Sequence, residues 1–523
     1  MSDLELILAL GAVACALALV ARAVRLPPAI VQMAGGLAIA LIPGLPAIQL
    51  PPDLIFVLFV PPLVYVAGFN SSLRDLRANA GAIASLAVGL VLVTAGVIAV
   101  IAHELIPGLP WAAALALGAI VAPTDIVATQ AILQRLGLPR PLVALLDGEG
   151  LMNDATAVIT YRVAVAAVVV GGALVPERFI GAAVLVGLGG LVAGLALGVV
   201  ISELRRRVDD PLIVITISLL TPYVVYLAAE AVDVSGVLAA VVAGILIGRR
   251  RPTTSTAQTR IAGVAVWELV LFLLNSAIFL LLGLMLPGIV ASLGSESVGR
   301  LLGLALAIGV AVIVVRLLWT FPVLYWMKAI PWLHIGKRPD WRQVAIVGWA
   351  GARGMDSITT ALALPLMTGT GQPFPARSLL VFLATAVVLI TLIGQGLTLP
   401  FLMRLLGVAR DTSAAAEEAR AREMTGDAAL RRLDELEQEW PTHRPLIDQL
   451  RTQYEHRAEH LDRRGVDARA ADQEEMEHRT IRREVFEAER AATIDLRNRN
   501  VISDGVLRVL ERDIDLEELR MDA

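Results

Sequence analysis

Thirteen apolar stretches of 15 to 30 residues follow one another through the first 404 residues of this 523-residue chain. A hydrocarbon core about 30 Å thick is crossed by about 20 residues of helix. Because lipid offers the backbone no hydrogen bonds, apolar segments of this length must span as helices. The sequence therefore predicts an all-α polytopic membrane protein with 13 transmembrane helices. The stretches are residues 3–21, 27–43, 53–69, 79–102, 111–134, 141–170, 179–202, 211–229, 234–248, 263–286, 301–327, 342–367 and 378–404.

Basic residues alternate from loop to loop between these stretches. Only three follow the even-numbered stretches, and they are Arg178, Arg300 and Arg377. The seventeen that follow the odd-numbered stretches are Arg22, Arg25, Arg74, Arg77, Arg135, Arg140, Arg205, Arg206, Arg207, Arg249, Arg250, Arg251, Arg260, Lys328, Lys337, Arg338 and Arg342. Cytoplasmic loops carry an excess of lysine and arginine. We therefore expect a multi-pass protein of the cell inner (plasma) membrane, with its N-terminus outside and its C-terminus cytoplasmic.

The fifth and the twelfth stretches carry residues that weaken a helix near their centres. One contains Ala122-Pro-Thr-Asp125 and the other Gly348-Trp-Ala-Gly-Ala-Arg-Gly354. Proline removes a backbone donor, and glycine inside a helix costs about 1 kcal/mol. If the seventh stretch is a linker, the others form two inverted six-helix repeats with discontinuous helices 5 and 12. Matched broken helices in inverted repeats are typical of secondary transporters with a site at the midplane.

The sixth stretch holds three carboxylates in the segment Asp147-Gly-Glu-Gly-Leu-Met-Asn-Asp154. Charged groups at membrane depth are costly and usually mark ion, proton or substrate pathways. Residues four apart share a helix face, so Glu149 and Asn153 form one stripe. Gly150 and Asp154 form a neighbouring stripe about 100° around the helix. Two stripes predict two different roles.

One stripe is expected to be structural and the other functional. A buried carboxylate needs a partner, and we expect Glu149 to pair with Arg353 of the twelfth stretch. Asp154 would face water and hold either a proton or a small cation, so that competition couples the two fluxes. The alternative is that all three carboxylates are structural, paired with Arg162, Arg316 and Arg353.

The other charges within the stretches favour bracing contacts between helices. Arg162 and Arg316 lie in the sixth and eleventh stretches, and Glu268 lies near the start of the tenth. Buried groups of this kind rarely stay without a partner. We expect arginine–glutamate contacts, with a role in the ion path as the alternative.

Several motifs together resemble one known family. The segment Asp147–Ala157 is similar to the Gly-Glu-Ser-x-x-Asn-Asp-x-Thr-Ala signature of sodium/proton exchangers of the cation:proton antiporter-1 family, bacterial NhaP type. Ala122-Pro-Thr-Asp125 resembles that family's broken helix, and Trp349-Ala-Gly-Ala-Arg-Gly354 its Trp-x-Gly-x-Arg-Gly segment. Trp267-Glu268, with the residues that follow it as far as Gly283, resembles a further family helix. The resemblance runs through all thirteen stretches.

The resemblance implies a fold and an activity. The fold is a six-helix core domain, about residues 79–170 and 301–404, that moves against a dimerisation domain in a homodimer. The activity is electroneutral exchange of cytoplasmic Na⁺, with Li⁺ as an alternative ion, for external protons by alternating access, which serves pH regulation. Asparagine at position 153 leaves one titrating carboxylate on the Asn153-Asp154 dipeptide, which the family associates with one-for-one exchange.

The resemblance also implies site residues. Asp154 would bind the ion or the proton, with help from the Thr124 carbonyl, from Asp125 and from the face that carries Gly150. The Glu149–Arg353 ion pair would stand beside this site, steadied by Asn153. No cofactor is implied beyond the transported Na⁺ and H⁺, and the chain is not expected to be an enzyme.

Two positions depart from the family pattern. Gly150 replaces a serine whose hydroxyl is an ion ligand in the family, so the missing oxygen would come from water or a carbonyl. Asp356 stands where the family usually has an apolar residue, and it could face a cavity, pair with an arginine or tune the response to pH. K⁺/H⁺ exchange therefore stays open beside Na⁺/H⁺ exchange. An ion channel and an intramembrane hydrolase are less favoured, because no filter-like carbonyl loop and no Gly-x-Gly-Asp signature occur.

The last part of the chain has a different composition. Residues 1–408 form the expected transmembrane antiporter domain, and residues 409–523 form a charged, helix-favouring cytoplasmic tail. From residue 406 onward there are 20 basic and 29 acidic residues, so this part needs water rather than lipid. The single cysteine, Cys15, excludes an intramolecular disulfide. No phosphate-binding loop and no pattern typical of nucleic-acid binding occur.

Overall fold

The computed structural model describes most of the chain and divides it into two compact units, Met1–Asp411 and Thr412–Ala523. Within the described residues every regular element is a helix, and the only β-pairing is an isolated bridge between Met367 and Pro373. The described residues are 3–24, 26–42, 51–125, 140–171, 176–254, 256–294, 296–326, 340–407, 413–466, 468–499, 501 and 504–522.

Fifteen described helices make up the first unit. They are α1 (Asp3–Val24), α2 (Pro28–Ala40), α3 (Pro52–Asn70), α4 (Leu73–Ala78), α5 (Ala80–Leu105), α6 (Trp111–Val121), α7 (Arg140–Val170), α8 (Pro176–Arg206), α9 (Pro211–Glu230), α10 (Gly236–Thr254), α11 (Ala257–Ser292), α12 (Val298–Trp326), α13 (Trp341–Trp349), α14 (Met355–Leu362) and α15 (Arg377–Leu406). Two of them, α5 and α15, each contain one wide π-helical turn.

Local sequence signals set where several of these helices begin. Proline opens α2, α3 and α9, where its missing N–H would have had no partner in any case. The Asp210 carboxylate accepts a hydrogen bond from the backbone N–H of Leu212 at 2.8 Å and caps α9. Asp340 caps α13 in the same way through Arg342 N–H. Prolines and capping aspartates in the sequence therefore mark where these helices begin.

Seven helices of the described residues are long and apolar enough to cross a bilayer: α5, most of α7, most of α8, α9, α11, most of α12 and α15. Four shorter apolar helices include α6 and most of α1. Each of the thirteen predicted stretches overlaps a described helix or, in the twelfth, a broken pair of helices. The predicted multi-pass helical architecture is confirmed, while the count of 13 and the two inverted repeats stay predictions.

Both predicted interruptions are present. Helix α6 ends at Val121, and the residues from Ala122 to Asp125 are not helical. Helix α13 ends at Trp349 and α14 begins only at Met355. Residues 126–139, which include the end of the fifth predicted stretch, lie outside the described part of the chain.

Close packing holds the first half-helix against its neighbour. An added Cβ on Gly118 of α6 would stand 2.2 Å from the carbonyl oxygen of Ala95 in α5, so only glycine permits this approach. Ala113 and Leu117 of α6 are fully buried in the main hydrophobic core of the unit. Helix α6 therefore presents the residues that follow Val121 at a fixed place.

The second unit is built from helices with mixed charge. They are α16 (Ser413–Glu439), α17 (Arg444–Val466), α18 (Ala468–Asn498) and α19 (Asp504–Asp522). All four lie in the part of the chain that the sequence marks as charged and helix-favouring. Arg490 of α18 donates to Glu518 and Asp515 of α19 at 2.9 and 2.6 Å, and these hydrogen bonds raise the pKa of Arg490.

Candidate functional site: a carboxylate helix beside two broken helices

Glu149 of α7 is engaged by Arg316 of α12 rather than by Arg353. Nη2 of Arg316 donates to Oε2 of Glu149 at 3.0 Å, and Nη1 donates to Oε1. The side chains of both residues are shielded from solvent. The predicted Glu149–Arg353 pair is therefore wrong. Arg316 approaches the carboxylate with both terminal nitrogens, a two-point contact that favours arginine strongly.

Arg353 instead binds backbone carbonyls at the helix interruptions. Its Nε donates to the carbonyl oxygen of Val121 at 3.1 Å, and its Nη1 donates to that of Gly351. The carbonyls at the end of a helix have no partner within the helix and carry a partial negative charge that attracts cations. Arg353 therefore binds these carbonyl oxygens and forms no salt bridge with Glu149 within the described residues.

Arg316 likewise binds backbone carbonyls at the second break. Besides Glu149, its Nη2 donates to the carbonyl oxygens of Val347 and Ala350 at 3.1 and 3.3 Å. The two arginines thus stabilise the carbonyl ends of both interrupted helices. Within the described residues, neither arginine forms a salt bridge with Asp154 or Asp356.

Thr124 connects the first break to the carboxylate helix. Its hydroxyl donates to Oε1 of Glu149 at 3.1 Å and accepts from Nδ2 of Asn153 at 2.9 Å. The same Asn153 nitrogen also donates to the carbonyl oxygen of Thr124 at 3.2 Å. Asn153 therefore reaches Glu149 through Thr124, and it fixes the direction of the Thr124 carbonyl.

Asp125 joins the two breaks to each other. Its backbone N–H donates to the carbonyl oxygen of Ala352 at 2.8 Å. Its Oδ2 accepts from the backbone N–H of Met355 at 3.2 Å, at the start of α14. A Cβ on Gly354 would stand only 1.8 Å from the same Oδ2. The absent side chain of Gly354 leaves room for this carboxylate, and the partial positive charge at the start of α14 attracts it.

Asp154 lies in α7, one turn after Gly150. Its Oδ1 is buried and has no hydrogen-bond partner within the described part of the chain. The charges of Asp356 and Asp125 both act on it. Carboxylates from α7, from the first break and from the start of α14 therefore meet in one region, while the nearby arginines are engaged elsewhere.

The site residues singled out from the sequence come together in this region. Hydrogen bonds join Thr124 to Asn153, and the charge of Asp125 acts on Asp154. Gly150 lies half-buried on α7. Sequence reasoning missed Arg316 as the partner of Glu149, although it had marked Arg316 as an intramembrane charge. Thr391 was also missed. Its hydroxyl accepts from the backbone N–H of Arg353 at 3.0 Å, and no charge or motif drew attention to it.

The expected bracing contacts form for two of the three other charges. Arg162 of α7 donates through Nη1 to both carboxylate oxygens of Glu230 at 2.7 Å, and through Nη2 to the Tyr226 hydroxyl at 2.8 Å. The arginine–glutamate prediction is confirmed for Arg162 and for Arg316. It is wrong for Glu268, which is exposed and forms no salt bridge with any described residue.

The arrangement can hold a small ion by oxygen atoms. Half-helix ends, the Thr124 carbonyl and the Asp154 carboxylate, which forms no salt bridge with a described residue, meet inside an apolar helical unit. Secondary transporters build their sites in this way. The fold and the site together define a multi-pass membrane transporter of small cations.

Comparison with known proteins identifies the family. Residues 9–405 match the family described as "Sodium/hydrogen exchanger, transmembrane". An uncharacterized Na(+)/H(+) exchanger of Mycobacterium tuberculosis is 34% identical over 505 residues, which cover 95% of this chain and 92% of that protein. The chain belongs to the sodium/hydrogen exchanger family, and its class of activity is cation/proton exchange.

Two further proteins illustrate the range of relatives. A sodium, potassium, lithium and rubidium/H(+) antiporter of Bacillus pumilus is 35% identical over 391 residues, covering 72% of this chain and 58% of that protein. The solved sodium proton antiporter MjNhaP1 from Methanocaldococcus jannaschii superposes with a TM-score of 0.58 at 17% identity, covering 78% of this chain and all of that one. The structural match concerns the fold alone. The relatives are exchangers and antiporters rather than enzymes.

Proposed function

We propose that the protein is an electroneutral secondary antiporter that exchanges one cytoplasmic Na⁺ for one external proton at Asp154. The observation that carries the proposal is the contrast between two carboxylates on one helix. Glu149 is fully engaged by Arg316 and Thr124, whereas Oδ1 of Asp154 is buried with no hydrogen-bond partner in the described residues. A buried carboxylate oxygen without a donor can be satisfied by a proton or by a cation.

The groups around Asp154 supply further oxygen ligands. The Thr124 carbonyl accepts one hydrogen bond from Asn153, and a carbonyl oxygen has two lone pairs, so one remains for a cation. The Asp125 carboxylate lies next to Thr124 in the chain and accepts through Oδ2 from the backbone N–H of Met355. Hard cations prefer carboxylate and carbonyl oxygens of this kind.

Coupling follows from the charge of the site. A monovalent cation and a proton each neutralise one negative charge. Once one of them is bound at Asp154, the carboxylate no longer carries the charge that attracts the other. Because position 153 is an asparagine, its side chain carries no proton through the cycle. One charge then crosses in each direction, and no net charge is moved per cycle.

The remaining features of the proposal follow the architecture of the family. The two inverted repeats would rock around the site to give alternating access. We place the N-terminus outside and the tail of residues 409–523 in the cytoplasm, in accord with the positions of the arginines in the loops. The protein would act as a homodimer in the inner (plasma) membrane and contribute to pH regulation.

K⁺/H⁺ exchange is the second candidate, and one observation favours it. Gly150 lies one turn before Asp154 and contributes no side-chain oxygen, so the site is less closely fitted to a small ion. The Bacillus pumilus relative is described as an antiporter of sodium, potassium, lithium and rubidium. Sodium and potassium specificity therefore has to be measured directly.

The test is proton flux in proteoliposomes that contain the full chain. Na⁺, Li⁺ and K⁺ are added in turn, and the rates are compared with and without an imposed membrane voltage. We expect Na⁺-driven proton flux that voltage leaves unchanged, and loss of this flux in Asp154→Asn. The matched control is Asp233→Asn, because Asp233 is exposed and lies outside the site. Flux that persists in Asp154→Asn contradicts the mechanism, and a strong response to voltage contradicts electroneutral exchange.

A further inference from the structure

Asp356 lies in the first turn of α14, beside the residue that binds Asp125. The backbone N–H of Met355 donates to Oδ2 of Asp125, and Asp356 is the next residue along the chain. On the other side of Asp125, its neighbour Thr124 accepts hydrogen bonds from Asn153, the neighbour of Asp154. The three carboxylates are close enough for their charges to interact. The start of α14 therefore brings a third carboxylate to the region of Asp154.

Two of these carboxylates, Asp154 and Asp356, have no cationic partner in the part of the chain that the structure describes. The two buried arginines of the region are held by Glu149 and by backbone carbonyls. Like charges that share an apolar interior are unfavourable unless a counter-ion joins them.

Two buried oxygen atoms on neighbouring residues of α7 also lack a donor within the described residues. Oδ1 of Asp154 and Oδ1 of Asn153 have no hydrogen-bond partner in the part of the chain that the structure describes, and Asn153 is only 1% exposed. Buried acceptors without donors are uncommon in folded proteins and point to a water or an ion. The carboxylates therefore do more than form an acidic cluster.

The face of α7 that carries Asp154 has a gap one turn earlier. Gly150 shares this face and has no side chain, so on this face the turn before Asp154 offers no side-chain oxygen. A small hard cation is held by several oxygen atoms at once. An oxygen from another segment is needed to complete the set.

We propose that the Asp356 carboxylate is a direct ligand of the transported cation and takes the place of the oxygen that Gly150 does not provide. The inference rests on the proposed function, because it concerns the cation bound at Asp154. The competing explanation is that Asp356 only stabilises the start of α14 through the helix dipole. The two explanations differ in what they predict for cation affinity.

The experiment measures the half-saturating Na⁺ concentration of proton exchange in proteoliposomes, together with stabilisation by Na⁺ against heat in detergent. For Asp356→Val we expect the half-saturating concentration to rise about tenfold or more, because a ligand to a charged species is lost. Asp356→Asn keeps one oxygen and should give a smaller rise. The control is Asp209→Val, an exposed aspartate far along the chain from the site.

A compensating substitution makes the test specific. Gly150→Ser adds a hydroxyl one turn before Asp154, and in the Asp356→Val background it should lower the half-saturating Na⁺ concentration again. A helix-capping role would not be repaired by a residue on α7. An unchanged half-saturating concentration in Asp356→Val and Asp356→Asn, with only a lower unfolding temperature, overturns the inference.

The inference and the proposed function fail in different ways. If exchange persists in Asp154→Asn, the antiport mechanism itself is contradicted. If Asp154→Asn abolishes exchange while both Asp356 variants keep the affinity of the native protein, only the role of Asp356 is contradicted. If Asp356→Val does not fold, Asp356→Asn still decides through Na⁺-dependent stabilisation.

Discussion

The guanidinium of Arg316 binds both carboxylate oxygens of Glu149 at a place where solvent reaches neither side chain. The contact joins α12 to α7 and also reaches carbonyl oxygens at the end of α13. It removes Glu149 from the set of carboxylates that could exchange a proton. The different roles of Glu149 and Asp154 on α7 therefore depend on Arg316, and Asp154 is left as the proposed exchanging group.

Removal of Arg316 should strongly destabilise the protein. In Arg316→Met the Glu149 carboxylate stays buried without its cation, and breaking such a pair typically costs about 3–5 kcal/mol. The measurement is thermal unfolding in detergent. Arg300→Met is the matched control on the same helix, because Arg300 pairs with Glu296 at the surface, where such pairs contribute less than about 1 kcal/mol. Equal unfolding temperatures for the two variants would speak against the pair.

The choice of partner can be measured by double-mutant cycles. Glu149→Gln combined with Arg316→Met should show a large coupling, because the two residues share hydrogen bonds. The same substitution combined with Arg353→Met should be closer to additive, since Arg353 binds the carbonyls of Val121 and Gly351. Unfolding temperatures of the single and double variants give both couplings. A larger coupling with Arg353 would restore the pair expected from the sequence.

Gly354 should not tolerate even one added methyl group. Its Cβ would meet Oδ2 of Asp125 at 1.8 Å, so Gly354→Ala must push this carboxylate off the start of α14. We expect loss of exchange together with a destabilisation of about 1–3 kcal/mol from overpacking. Gly96→Ala is the control, because nothing lies within 4 Å of its added Cβ. Normal exchange by Gly354→Ala would contradict the close packing of Asp125 against Gly354.

Glu230 should stabilise the unit through Arg162. Glu230 accepts from Arg162 at 2.7 Å and from the backbone N–H of Gly236 at 2.8 Å. Glu230→Gln removes the charge that both donors face, and we expect a loss of roughly 1–3 kcal/mol. Asp233→Asn, three residues further on and exposed, should change little. The comparison is again made by thermal unfolding, and equal values would show that the contact contributes nothing measurable.

The sequence predicts which residues form the site better than it predicts which of them form ion pairs. Helix periodicity separates Glu149 from Asp154, and proline and glycine locate both breaks, because these are local properties of the chain. The partner of Glu149 depends on how α12 and α13 lie against α7, which no local pattern contains. Arg353 looked like the partner because it is an intramembrane cation. The carbonyls freed by the helix breaks bind it instead, and a hydropathy pattern contains no information about free carbonyls.

The same limit explains Asp356 and Glu268. The sequence marks Asp356 as an unusual charge, but its nearness to Asp154 follows from the way α14 starts beside Asp125. Glu268 was expected to brace a helix because it lies in an apolar stretch. It lies on an exposed side of α11, which the sequence alone does not distinguish from a buried side.

The most direct test of the mechanism is proton release when Na⁺ binds. Purified full-length protein in weakly buffered detergent solution is titrated with Na⁺ while proton release and bound Na⁺ are recorded. If one carboxylate holds either ion, the native protein releases about one proton per Na⁺ bound at a pH where the site is protonated. Asp154→Asn should neither bind Na⁺ in this range nor release protons, while Asp233→Asn should behave as the native protein does. Binding of Na⁺ without proton release in the native protein, or equal release in Asp154→Asn, would contradict competition at Asp154.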